Sequence, residues 1–135
     1  MDIFRQHCVL IVDDDWSIRR LLIAVLRREG YRVVEARNGR EALTEMRTGS
    51  PNLVVMDLVM PELSGWQVLE ERVGDPALLQ IPIIVVTASN TVQVTADVKD
   101  QHVYAVISKP FDLDVLLGNV TACLAHPDVP VLAAA

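Results

Sequence analysis

Short apolar runs alternate five times with stretches of helical period, the pattern of successive strand and helix units. The first run, Cys8 to Val12, is followed by Ile18, Leu21, Leu22, Val25 and Leu26, which recur at i, i+3, i+4, i+7 and i+8 and line one face of a helix. Gly30 stops that helix. Tyr31 to Ala36 reads as a second strand, and Gly39 to about Thr48 as a helix with Ala42, Leu43 and Met46 inward. Leu53 to Asp57 is the third strand, and Trp66, Leu69 and Val73 suggest a third helix beyond the punctuation of Pro61 and Gly65. Ile83 to Val86 has the continuous apolar character of a strand buried on both faces, as in a parallel sheet. Thr91 to Asp100 reads as a helix weakened by its β-branched residues. Ala105 to Ser108 is the fifth strand, and Leu113, Leu116, Leu117, Val120 and Leu124 mark a last helix interrupted by Gly118. These elements predict one α/β domain, a doubly wound (βα)5 unit on a five-stranded parallel sheet. It spans residues 1–125, with 126–135 as a flexible tail or the start of a linker.

Composition narrows this without altering it. A chain of 135 residues, 51% hydrophobic and 22% charged, fits one globular core. It has no apolar run near the ~18 residues of a membrane span. The first apolar stretch is five residues long and runs into three aspartates, which is no signal peptide, so a cytoplasmic location is expected. Cys8 and Cys123 lie in separate apolar runs without zinc spacing and read as buried thiols. The net charge of -6 is unevenly spread: residues 1–48 hold nine bases against eight acids, residues 49–135 three against ten. The basic cluster Arg19, Arg20, Arg27 and Arg28 is too sparse to track phosphates, which speaks against nucleic-acid binding, and reads as a solvated helix face.

In a parallel sheet with right-handed crossovers, all strands end at one edge, and ligands bind where the strand order reverses. Asp13, Asp14 and Asp15 end the first strand, Asp57 the third, Thr87 the fourth, and Ser108 and Lys109 the fifth. Asp15 or Ser17 could simply cap a helix, Thr87 could cap too, and Lys109 could be solvated. Capping leaves unexplained why three or four acids and one lysine share an edge, where carboxylates without a counterion raise each other's pKa. Oxygen ligands with room for water suit magnesium, which commonly shares its shell with phosphate.

With these residues in view, the chain resembles the receiver domain of two-component response regulators, from Cys8 to about Ala125. The resemblance is carried jointly by Val-Asp-Asp at 12–14, Met-Asp-Leu-Val-Met-Pro at 56–61 with Gly65, Thr-Ala at 87–88 and Lys-Pro-Phe at 109–111. It implies that Asp57 accepts a phosphoryl group from a sensor histidine kinase, a phosphotransfer protein or a small phosphodonor. Asp14, Asp57 and the Val59 backbone carbonyl would hold Mg2+, with Asp13 acting mainly through a bound water, while Lys109 and Thr87 would meet phosphoryl oxygens. It further implies a cis peptide before Pro110, the strand order 2-1-3-4-5, and a switch that catalyses its own phosphorylation and dephosphorylation to control a downstream target.

Three departures accompany the match. Val106 stands where relatives carry a switch aromatic, and strand alternation suggests Tyr104 as a substitute on the same face. His102 and Val103 replace the usual Gly-Ala before the fifth strand, reducing backbone freedom. Lys99 is the only base near the fourth and fifth helices besides Lys109, so an ionic dimer there is not expected, and the chain reads as a monomer or weak dimer. Two other readings compete. One is a magnesium-dependent phosphohydrolase with Asp13 as nucleophile and Asp15 as acid or base, although Trp16 and Ser17 do not suit it. The other is a phosphorylation-independent interaction module.

Overall fold

In the computed structural model, which describes residues 6–128 and 130, the expected alternation appears with one added helical turn. In chain order the elements are β1 (Cys8–Val12), α1 (Trp16–Arg28), β2 (Arg32–Ala36), α2 (Gly39–Gly49), β3 (Leu53–Met56), α3 (Gly65–Val73) and α4 (Pro76–Leu79). They continue with β4 (Ile83–Thr87), α5 (Thr91–Asp97), a 3-10 turn at Lys99–Gln101, β5 (Ala105–Ser108) and α6 (Leu113–Ala125). Every strand pair is parallel and the order is β2-β1-β3-β4-β5. This is the doubly wound, flavodoxin-like arrangement, with its reversal between β1 and β3.

Strand alternation divides the core. Val9 and Ile11 of β1 face α1 and α6, packing with Leu22, Leu26, Leu116, Val120 and Cys123. Leu10 and Val12 face the other helices, packing with Ala42, Leu43, Val68, Leu69, Leu78 and Val94. Both cysteines are free thiols and buried. Among the described residues, no helix is long and apolar enough to cross a membrane.

The helices depart from expectation in identifiable ways. Leu21 is largely exposed while Ile23 is buried, and the inward arc of α1 is Arg19, Leu22, Ile23 and Leu26. An arginine therefore sits at an inward position of a stripe that had been sought among apolar residues alone, and the reading of Arg19 as solvated is corrected. In α3, Val73 is exposed and Val68 fills the core instead. α6 runs through Gly118 without a break, since an isolated glycine costs a helix only about 1 kcal/mol and its place on the outer face has nothing to pack. α4 is too short to show a period, but it carries a local signature: Asp75 caps it by accepting the Ala77 N–H, and Pro76 takes the first helical position. Of the chain beyond α6, His126 to Asp128 and Pro130 are described; Val129 and the terminal alanines lie outside the described residues.

Candidate functional site

The site residues hang from extensions of the sheet ladder. Asp13 N–H donates to Ala36 O at 3.2 Å, Asp57 N–H to Val12 O at 3.0 Å, and Lys109 N–H to Thr87 O at 2.9 Å. Each lies just past its strand, so the sheet sets backbone position while the side chain is free to turn across the edge. The Lys109–Pro110 peptide is cis. The loop after Asp57 folds back tightly, with Gly65 N–H donating to Leu58 O at 3.0 Å. A Cβ at position 65 would come within 2.5 Å of the Asp57 carbonyl oxygen, which excludes any side chain there.

Asp13, Asp14 and Asp57 converge, each offering an oxygen within 4.8 Å of the others. Lys109 Nζ donates to Asp13 Oδ2 at 2.7 Å and to Asp57 Oδ2 at 2.9 Å. Asp13 Oδ1 accepts the Asp15 N–H and Asp57 Oδ1 the Val59 N–H. Burial pushes the Asp13 carboxyl up, and its bonds to Lys109 and the Asp15 amide only partly offset this. Burial alone would lower the Lys109 ammonium, but the two carboxylates outweigh it and hold its pKa above the ordinary lysine value. Three acids and one ammonium leave an excess of negative charge in a partly buried pocket. Asp13 and Asp57 are buried and Asp14 is exposed, so the all-oxygen donor set has an open side for water, a combination that fits a hard divalent cation.

Thr87 ends β4 opposite Ser108, fully buried, and its hydroxyl oxygen accepts the Ser89 N–H at 3.3 Å. Val59 is 63% exposed at the pocket's rim. Asp15 is occupied elsewhere: its carboxylate caps α1 by accepting the Ser17 and Ile18 N–H groups. Asp13 is likewise held on both oxygens. Asp57 is held in the same way, by the Val59 N–H and Lys109, so hydrogen bonding alone does not separate the two buried carboxylates.

Tyr104 does not share a face with Val106. The regular strand begins at Ala105; the Tyr104 N–H still donates to Ile83 O at 2.8 Å, but its side chain falls on the same side as Ala105 and so leaves the period-two alternation. Tyr104 packs with Ala105, Ile107 and the α6 side, whereas Val106 packs on the opposite side of the sheet. His102 takes the left-handed conformation, φ +57°, where a glycine would be unstrained.

Two arginines escaped sequence reading because periodicity looks for apolar positions. Arg19 Nη1 donates to the Asp13 carbonyl at 2.8 Å, and its Nε to Glu35 Oε1 at 2.9 Å. Arg72, 1% exposed, donates to the carbonyls of Leu79, Ile81, Gln101 and His102, joining α3 to the loops before β4 and β5. Burial pushes its pKa down to about 10, so it remains a cation at neutral pH.

Residues 9–121 match the family model of the response regulator receiver domain. Protein PilH of Pseudomonas aeruginosa PAO1 is 34% identical over 117 residues, covering 87% of this chain and 97% of PilH. The CAI-1 autoinducer sensor kinase/phosphatase CqsS of Vibrio cholerae is 37% identical over 118 residues, 87% of this chain but 17% of that protein. Among solved structures, a putative response regulator from Chloroflexus aurantiacus J-10-fl superposes with a TM-score of 0.83 at 29% identity, covering 90% of this chain and all of that one. A strand-end acidic pocket on this topology and a family match across most of the domain agree: the chain belongs to the response regulator receiver domains of two-component signalling.

Proposed function

We propose that this receiver accepts a phosphoryl group on Asp57 from a histidine kinase, a phosphotransfer protein or a small phosphodonor. Asp14, Asp57 and the Val59 carbonyl would hold Mg2+, with Asp13 reaching it through water. One Asp57 oxygen attacks phosphorus, the P–N bond to the donor imidazole (or the P–O bond of a small donor) breaks, and the leaving group departs with its electron pair. Bound magnesium would supply charge stabilisation for the phosphoryl oxygens. Lys109, already bonded to Asp57, would turn to a phosphoryl oxygen, and the Thr87 hydroxyl would donate to another. Water attack on the acyl phosphate would reset the switch, so phosphorylation and dephosphorylation are both catalysed by the receiver itself. We take residues 1–125 as this unit and 126–135 as tail or linker. It is read as cytoplasmic, monomeric or weakly dimeric, acting on a protein target and not on nucleic acid or membrane.

The observation that carries this reading is the Lys109 ammonium bridging Asp13 and Asp57 within the three-acid cluster. The test is mass spectrometry after incubation with Mg2+ and acetyl phosphate. The wild type should gain one phosphoryl group and Asp57→Asn none. Labelling of Asp57→Asn at the wild-type level, or loss of labelling in Asp13→Asn alone, would overturn it.

A further inference from the structure

We propose that Arg19 is a positioning residue that sets the divalent-cation affinity of the acidic pocket, acting through the Asp13 carbonyl; this deepens the metal reading above and rests on it. Arg19 lies on α1 one turn beyond the cap residue Asp15, its own N–H donating to the Asp15 carbonyl at 3.1 Å. From there the side chain, 5% exposed, reaches back to the Asp13 carbonyl, while Glu35 of β2 holds the other edge of the guanidinium.

That carbonyl belongs to the peptide joining Asp13 to Asp14. Asp13 is held at four atoms, its N–H by Ala36, its carbonyl by Arg19 and its carboxylate by the Asp15 N–H and Lys109. The exposed Asp14 carboxylate takes no protein hydrogen bond among the described residues. Its place in the cluster therefore depends on the plane of the 13–14 peptide. A change in ψ at Asp13 or φ at Asp14 moves the Asp14 side chain relative to Asp13 and Asp57, and Arg19 restrains it by holding the carbonyl between them. Its planar fork can grip the carbonyl and Glu35 together, which a lysine ammonium cannot do with the same rigidity. Partners that orient a metal ligand without touching the ion typically account for 10–100-fold of metal affinity, and an effect on the lower side is expected for one acting through backbone.

The test is titration of the full chain with Mn2+, counting free ion by its EPR signal, alongside thermal unfolding in EDTA. Arg19→Met should weaken Mn2+ binding about tenfold, and Arg19→Lys about threefold, because the charge is kept but the two-sided grip is lost. Val120→Ala, a core truncation in α6 far from the loop, serves as the stability control and should lower the melting temperature while leaving Mn2+ affinity unchanged. Phosphorylation by acetyl phosphate should return to near the wild-type rate in Arg19→Lys at saturating metal. Wild-type Mn2+ affinity in the folded Arg19 variants would overturn the proposal; if Arg19→Met does not fold, Arg19→Lys decides it alone. A wild type that binds no Mn2+, or an Asp14→Asn variant that binds as well as wild type, would instead overturn the metal reading beneath it.

Discussion

Burial shifts the protonation of individual side chains in this receiver, and Cys123 gives a readout away from the pocket. Burial in the α6 core pushes its thiol from 9.0 up to about 12. A pKa raised on folding favours the native state at low pH, and that contribution is lost as pH climbs. Between pH 9 and about 12 the unfolded chain releases the thiol proton first, so the native state loses ground over that window. Denaturant unfolding of wild type and Cys123→Ala at several pH values should show the wild type's advantage shrinking above pH 9. The decline should approach about 1.4 kcal/mol per pH unit, and a difference independent of pH would contradict the burial described. At this scale the placement of the strand-end residues was legible, because an apolar run ending in a charged residue marks a sheet edge: Asp13, Asp14, Asp57 and Lys109 stand there and do meet. Arg19 and Arg72 did not announce themselves, because a buried guanidinium satisfied by backbone carbonyls looks in sequence like any surface arginine.

At the level of elements, α5 is the least committed part of the fold. It spans seven residues, carries β-branched Thr91, Val92, Val94 and Thr95, and buries only Val94 within its length. Its N-terminus is secured by Asn90, which accepts the Val92 and Gln93 N–H groups. Val92, 80% exposed, contributes no core contact, so Val92→Ala should raise stability by about 0.5 kcal/mol through helix propensity alone. Native-state hydrogen exchange should show the same substitution slowing the α5 amides while β1 and β3 stay as they were; faster exchange in α5 would refute this. The strands were legible because β1, β3 and β4 are apolar on both faces. α4 was not, since four residues cannot display a period and only the Asp-Pro pair at 75 and 76 betrays it. Tyr104 misled for a related reason: its backbone still bonds to β4, but alternation was extended one residue beyond the regular strand, where the side chain no longer follows it.

Seen whole, the molecule divides at the reversal in strand order. β1 and β3 carry the acids at the centre of the sheet, β4 and β5 carry Thr87 and Lys109, and β2 at the far edge is tied to Asp13 and Arg19 through Ala36 and Glu35. Beryllofluoride binding at Asp57, followed by amide chemical shifts, should therefore perturb β4, α5 and β5 much more than β2 and α2, and equal shifts across both flanks would contradict this. The strand order thus makes the domain lopsided. On the proposed reading, an event at its midline would draw inward the groups on one flank, so news of it would leave from that side, while the opposite flank would keep its shape and stay recognisable to whatever delivers the next signal.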